Sequence, residues 1–561
     1  MFARPVPLLM LAGCIAVLAG SLFSNYTVYL AGWFVVFSII LVCTPARSGS
    51  VTLTHFLVIL LLFFTLRLLV PLKYSQLVGE DARNIVIAAQ YMFRGYADLP
   101  QGSLEPLSVL RAFPAVPTIL VIIRSVAGVP LTTSSIYLGP LISVPFLMAV
   151  AVLSSRKPDG KPIIWFLPSL IVAVFPAFVY WQMMFLPQTL ALALMGVSLL
   201  LMSKKSTTRR THVVTSSLLV VALVVSHHIT SFVLALGIMV ADALSWFLHR
   251  RRPPGWGMVM LILSLAYWIY TFGGVELRLL VLILQRLLRD LTEPFGLVDQ
   301  NYYRTGLFVG QPVWLAILTV VQVLAVVGAG LVGLTRSIRS KPPAHFSLFA
   351  LGLFAVSAIG IGIGLLVSSA TQPERLGVFM VFALALPAGA AWGLVDRHGS
   401  KWVAGLLYST VIVLLLPVPF KVFRFVSDPP PTYLYQHIEV EETDPNIYAR
   451  LVYKGDAFFG GARFAIAHAM PRGTIYADHS ISREILVQDP RLVSRVRLFP
   501  DDLGSLSEDD MVVADWRFLQ FLTVRESERY SEDPRLRTDY LSRLKLVYAN
   551  GTVVLYLSGY L

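Results

Sequence analysis

Residues 52–70, TLTHFLVILLLFFTLRLLV, run straight into 71–100, PLKYSQLVGEDARNIVIAAQYMFRGYADLP. The first stretch is apolar and about long enough to cross the roughly 30 Å hydrocarbon core of a bilayer. The second carries an acidic pair, Glu80-Asp81, just past the apolar end. Carboxylates in membrane sequence are rare and mark function. At the water-facing mouth of a helix bundle such a pair takes a proton, holds a metal or meets a charged lipid headgroup.

The composition agrees with a membrane reading. The 561 residues are 56% hydrophobic and 14% charged, against roughly 25% charged in a soluble domain. Residues 1–426 are a series of apolar runs, whereas 427–561 are ordinary mixed sequence. The chain therefore reads as an α-helical polytopic transmembrane domain with an external loop at 72–112, followed by one soluble α/β domain. The net charge of +13 is a topology signal from short loops between spans, not a nucleic-acid signal. Cys14 and Cys43 lie in apolar runs and behave as small hydrophobes; no disulfide framework or zinc spacing is present. The early charge at Arg4 followed by two apolar runs favours a retained first helix over a cleaved leader.

About 13 spans are expected. They fall near 5–23, 28–43, 52–70, 131–154, 162–182, 186–202, 213–226, 229–248, 255–273, 312–334, 345–367, 376–395 and 402–420. Basic residues gather in alternate loops, for example Arg156, Lys157 and Lys161, then Lys204, Lys205, Arg209 and Arg210, then Arg250, Arg251 and Arg252. The positive-inside rule makes those loops and the N-terminus cytoplasmic. The Glu80-Asp81 loop, the His227-His228 turn, the 368–375 turn and the C-terminal domain are then external. Residues 113–129, FPAVPTILVIIRSVAGV, are apolar but short and hold Pro114, Pro117 and Arg124. Either they lie in the interface or re-enter, or another nominal span is incomplete; charge parity favours the first. Residues 275–291, with Arg278, Arg286 and Arg289, suit an in-plane helix or a packed amphipathic one.

The acidic pair, the helix ARNIVIAAQYMFRG and the run EPLSVLRAFPAVPTILVIIRSVAG together resemble the GT-C superfamily, membrane glycosyltransferases that use polyprenyl-phosphate-linked sugars. Many helices followed by an external α/β domain fit the same layout. The turn SHHITS (226–231), the turn TQPERLGVF (371–379) and the strand pair LVYANGTVVLYL (546–557) resemble archaeal GT-C-like membrane proteins more specifically. The acidic loop follows the third span here, whereas in the superfamily it follows the first. The WWDYG motif of oligosaccharyltransferases is absent, and Asp515-Trp516 does not replace it. What the resemblance implies is sugar transfer from a polyprenyl-phosphate donor, within membrane lipid, to a glycan, lipid or protein acceptor on the outer face.

That chemistry needs a base for the acceptor hydroxyl and cations for the departing phosphate. Asp81 is the candidate base or ligand of a divalent cation such as Mg or Mn, with Glu80 beside it; the bland alternative is that Asp81 caps a helix starting at Ala82. Arg375 opens a span on the same side and suits two-point phosphate contact, set against simple snorkelling or pairing with Glu374. Arg83, Lys73 and Arg304 are further cations. His227 and His228 suit a phosphate, a metal or a proton, or merely cap a hairpin; consecutive residues point about 100° apart, which argues against one shared ion. Asp242 reads as solvated or paired at a span end. In the C-terminal domain DAFFGGARFAIAHAM and SREILVQD have helical spacing; TIYADH, MVVADW and LKLVYANGTVVLYL read as strands, the last a hairpin at Asn550-Gly551. Two other functions compete: a transporter or flippase of lipid-linked sugars, and a scaffold displaying the C-terminal domain.

Overall fold

In the computed structural model each expected span contains a helix. The structure describes residues 5–23, 25–43, 53–74, 80–94, 113–154, 166–175, 178–179, 182–203, 209–249, 255–272, 313–339, 345–366, 373–398, 401–420, 456–477, 479–498, 509–515, 545–549 and 553–557. The chain divides into two compact units: residues 1–75 with 137–435, and residues 76–136 with 436–561. A division at 426/427 assigns the external loop to the membrane domain; the contacts instead group 76–136 with the C-terminal residues. The 275–291 segment lies outside the described residues, as does the stretch SDPPPTY at 427–433.

The first unit contains α1 (Pro5–Leu22), α2 (Tyr26–Cys43), α3 (Leu53–Tyr74), α6 (Leu131–Ser154), α7 (Phe166–Val174), α8 (Pro187–Ser203), α9 (Arg209–Ser226), α10 (His228–His249), α11 (Trp256–Phe272), α12 (Val313–Arg339), α13 (His345–Leu366), α14 (Pro373–His398) and α15 (Lys401–Leu415). These are the expected spans one for one, and the chain is a multi-pass helical membrane protein. Tyr26–Cys43, Leu131–Leu153, His228–Leu248 and Ile317–Thr335 are long and apolar enough to cross on their own. The 162–182 span differs. Its helix α7 stops at Val174, residues 178–179 are again helical, and the next long helix, α8, starts at Pro187. Pro176 and Pro187 disfavour helix at the residue before each, and Pro187 suits a helix start.

Helix packing here uses small residues for close approach. A Cβ on Gly333 of α12 would strike the backbone oxygen of Pro387 in α14, whereas one on Gly328 would meet open space. Gly333→Ala should therefore destabilise the bundle by about 1–3 kcal/mol through overpacking. Gly328→Ala should be neutral or stabilising, since helix propensity alone favours Ala by up to about 1 kcal/mol. Thermal unfolding in detergent separates the two variants; equal melting would refute the α12–α14 contact.

The second unit contains α4 (Glu80–Phe93), α5 (Ala115–Ala127), α16 (Asp456–His468), β1 (Ile475–Ala477), α17 (His479–Gln488), β2 (Val496–Leu498), β3 (Met511–Asp515), β4 (Lys545–Ala549) and β5 (Val553–Leu557). The sheet order is β2-β1-β3-β5-β4. β1 pairs in parallel with β2 and β3, while β5 runs antiparallel to β3 and β4. Its core joins Ile475, Ala477, Val496, Met511 and Val513 of the strands to Ala462 and Ala465 of α16 and Ile481, Ile485 and Leu486 of α17. Ile87 and Tyr91 of α4 belong to the same core, and Gln90 Nε2 donates to Val487 O at 2.8 Å. α5 has 13 residues, about 20 Å of helix, short of the roughly 30 Å a span requires. It ends at Gly128, φ 70°, the left-handed cap glycine favours.

Candidate functional site

α4 is not the one-sided amphipathic helix its sequence suggests. Ala82, Ile85, Val86, Ile87, Ala88 and Ala89 are buried, as are Arg83 and Asn84, so every face is covered. The helix starts at Glu80, two residues ahead of Ala82. Glu80 and Asp81 thus both fall in its first turn, where carboxylates are favoured by the free N–H groups and the helix dipole. The backbone puts Asp81 inside the helix, not at the capping position before Ala82. The acidic pair is therefore carried on a helix rooted in a packed core, the rigid support that precise chemistry needs. Arg83 is on the same helix but buried.

His227 and His228 sit side by side at the start of α10, ring centroids 5.2 Å apart. His227 Nδ1 accepts the backbone N–H of Thr230 at 3.2 Å and lies 2.8 Å from Thr230 Oγ1. An accepting Nδ1 carries no proton, which fixes the Nε2–H tautomer of the neutral ring. His227 is thus the helix cap, the structural role weighed for it. His228 is half-buried, with Trp268 of α11 edge-on at 5.8 Å. Arg375 lies in the first turn of α14, after Pro373. A cation there opposes the helix dipole, so helix stability does not explain it. Asp242 is buried, not solvated. Among the described residues, no group of three or more His, Cys, Asp or Glu is placed to hold a metal ion.

The structure brings Glu80, Asp81 and Arg83 together on one helix of the second unit, and His227 with His228 in the first. Arg375 stands on a separate helix of the first unit.

Sequence reading missed Arg67. It is fully buried in α3, in the middle of an apolar run. Its Nη2 donates to Val172 O and its Nη1 to Ala173 O, both at 3.0 Å. Those are last-turn carbonyls of α7, and Pro176, four residues after Val172, has no N–H to offer. Its Nε donates to Gln182 Oε1 at 2.9 Å and Nη2 donates to the same oxygen. Nη1 also reaches Phe63 O at 3.3 Å, and the guanidinium lies 3.6 Å over the Phe63 ring. A charge inside a span was the available signal; the α7 break that gives Arg67 its partners was the part no periodicity revealed.

No protein-family model matches the chain, and no curated protein matches it. Among solved structures it is similar to ArnT from Cupriavidus metallidurans bound to undecaprenyl phosphate, at 13% identity and TM-score 0.49, covering 90% of this chain and 97% of that one. It is also similar to the apo state of the same protein, at 14% identity and TM-score 0.48, covering 90% and 96%.

Proposed function

We propose that the chain is a GT-C-type membrane glycosyltransferase, moving a sugar from a polyprenyl-phosphate carrier to a glycan, lipid or protein acceptor at the outer face. One observation carries the reading. The acidic helix α4 shares a hydrophobic core with the C-terminal α/β domain, so the candidate base is mounted on the part of the chain suited to shaping an acceptor path. In the reaction, Asp81 takes the acceptor hydroxyl proton. The acceptor oxygen bonds to the anomeric carbon as the carbon–oxygen bond to phosphate breaks, and polyprenyl phosphate leaves with that electron pair. Arg375 offsets the charge on the departing phosphate, aided by the free N–H groups at the start of α14. As the alternative to direct proton transfer, Asp81, with Glu80 beside it, would offer oxygen ligands to a divalent cation such as Mg or Mn, which would supply further positive charge for the departing phosphate. His228 is a further donor to the carrier phosphate.

The test is transfer of a lipid-linked sugar by purified protein, with Asp81→Asn as the matched variant. Absence of transfer from any donor, together with lipid-sugar movement across vesicles, would favour a flippase. The proposed topology has a cytoplasmic N-terminus and an external second unit. Cysteines introduced at Thr207 and Ser480 should label from opposite sides of the membrane, against a low background because Cys14 and Cys43 are buried. Labelling of both from one side would overturn the orientation.

A further inference from the structure

The break between α7 and α8 leaves an unusual set of buried polar groups. Arg67 is a full charge, yet the helix end it caps offers only about half a negative charge. Among the described residues its remaining partners are the neutral amide of Gln182 and the Phe63 carbonyl, with no carboxylate. The Gln182 oxygen is held by Arg67, so the amide nitrogen is turned away from the cation. That nitrogen is fully buried and has no hydrogen-bond partner. Gln188, in the first turn of α8, is 2% exposed, and neither of its side-chain polar atoms has a partner. Each buried donor left unmade costs about 1–3 kcal/mol. Two buried amides kept in this state, one of them bonded to an incompletely balanced cation, offer donors for electron-rich oxygen.

The backbone around them is fixed. Thr189 Oγ1 donates to Met184 O at 2.9 Å, and Gly139 of α6 lies so close to Met184 and Phe185 that no Cβ would fit. Non-helical backbone at membrane depth is tolerated where protein buries it or where it lines a polar cavity.

We propose that Gln182, oriented and polarised by Arg67, forms with Gln188 a phosphate-oxyanion subsite in the α7–α8 break. Gln182 donates from Nε2 to a phosphate oxygen, and Arg67 acts through it as a positioning residue. The inference rests on the transferase reading for the phosphate being borne on a lipid; free phosphate presents the same oxygens.

Gln182→Glu is the decisive variant. A carboxylate keeps the two bonds to Arg67 and completes its charge, so the fold stays intact and melting is unchanged or raised. The donor is replaced by a negative acceptor. Binding of geranylgeranyl phosphate to the full-length protein in nanodiscs should weaken about tenfold or more, the scale of a lost hydrogen bond to a charged group, while binding of geranylgeraniol should not change. Gln188→Met should also weaken phosphate binding, with melting unchanged or raised. Competition by millimolar inorganic phosphate would assign the subsite to the free anion, and its absence to the lipid-borne one. Wild-type phosphate binding by Gln182→Glu would overturn the subsite. Transfer running normally in Gln182→Glu would remove the subsite and leave the transferase; Gln182-dependent binding without any transfer would do the reverse.

Discussion

Asp81→Asn should lower sugar transfer by about 10²-fold or more, the usual scale for a lost general base, with little change in melting. Asparagine keeps the size of the side chain and its ability to accept from helix N–H groups, and gives up the charge. A residue that only supports the start of α4 would survive this change. A residue that takes the acceptor proton or holds a cation would not. The helix itself is insulated from the substitution: its stability comes from Ala82 to Tyr91, most of them buried, and from Ile87 and Tyr91 in the core with α16 and α17. Arg375→Lys tests the other half of the reaction. An ammonium restores the charge but not the planar two-point contact, so donor use should fall while the protein stays folded. Transfer at the wild-type rate in both variants would refute the mechanism.

The positions of the membrane helices were legible because a span needs nothing beyond a long apolar run. The strands after 470 were legible from β-branched and aromatic alternation, and the Asn550-Gly551 turn fits the antiparallel pairing of β4 with β5. What was not legible depended on contacts distant in sequence. Nothing in EDARNIVIAAQYMF says that it packs against residues some 390 positions later, yet the Gln90–Val487 bond does this. Arg83 and Asn84 are buried as well, so a helix that reads as amphipathic is enclosed on all faces. Likewise the run 162–182 has the hydropathy of a span, and hydropathy is blind to the helix ending at Val174. Pro176 and Pro187 were the local clue. His227 was legible as a type and not as a role: a histidine pair at a helix start is equally suited to ligand binding and to capping, and only the Nδ1 geometry at Thr230 separates them.

Arg67→Leu should destabilise the first unit by about 3 kcal/mol or more, read as a drop in melting temperature and in monodisperse yield after detergent extraction. The substitution strips the donors from Gln182 Oε1, Val172 O and Ala173 O, and buried acceptors left unmade cost about 1–3 kcal/mol each. It also exposes the end of α7 to a medium with no water to replace the guanidinium. Arg67→Lys should recover part of the loss, because one ammonium has three donors but cannot span both carbonyls and the amide at once. The cost belongs to the broken network and not to the charge as such, which a double variant shows. Arg67→Leu combined with Gln182→Leu removes the amide as well as its donor, so it should be less destabilising than the sum of the two single changes. Additive losses would mean that Arg67 and Gln182 act independently, and the oriented amide of the α7–α8 break would have to be given up.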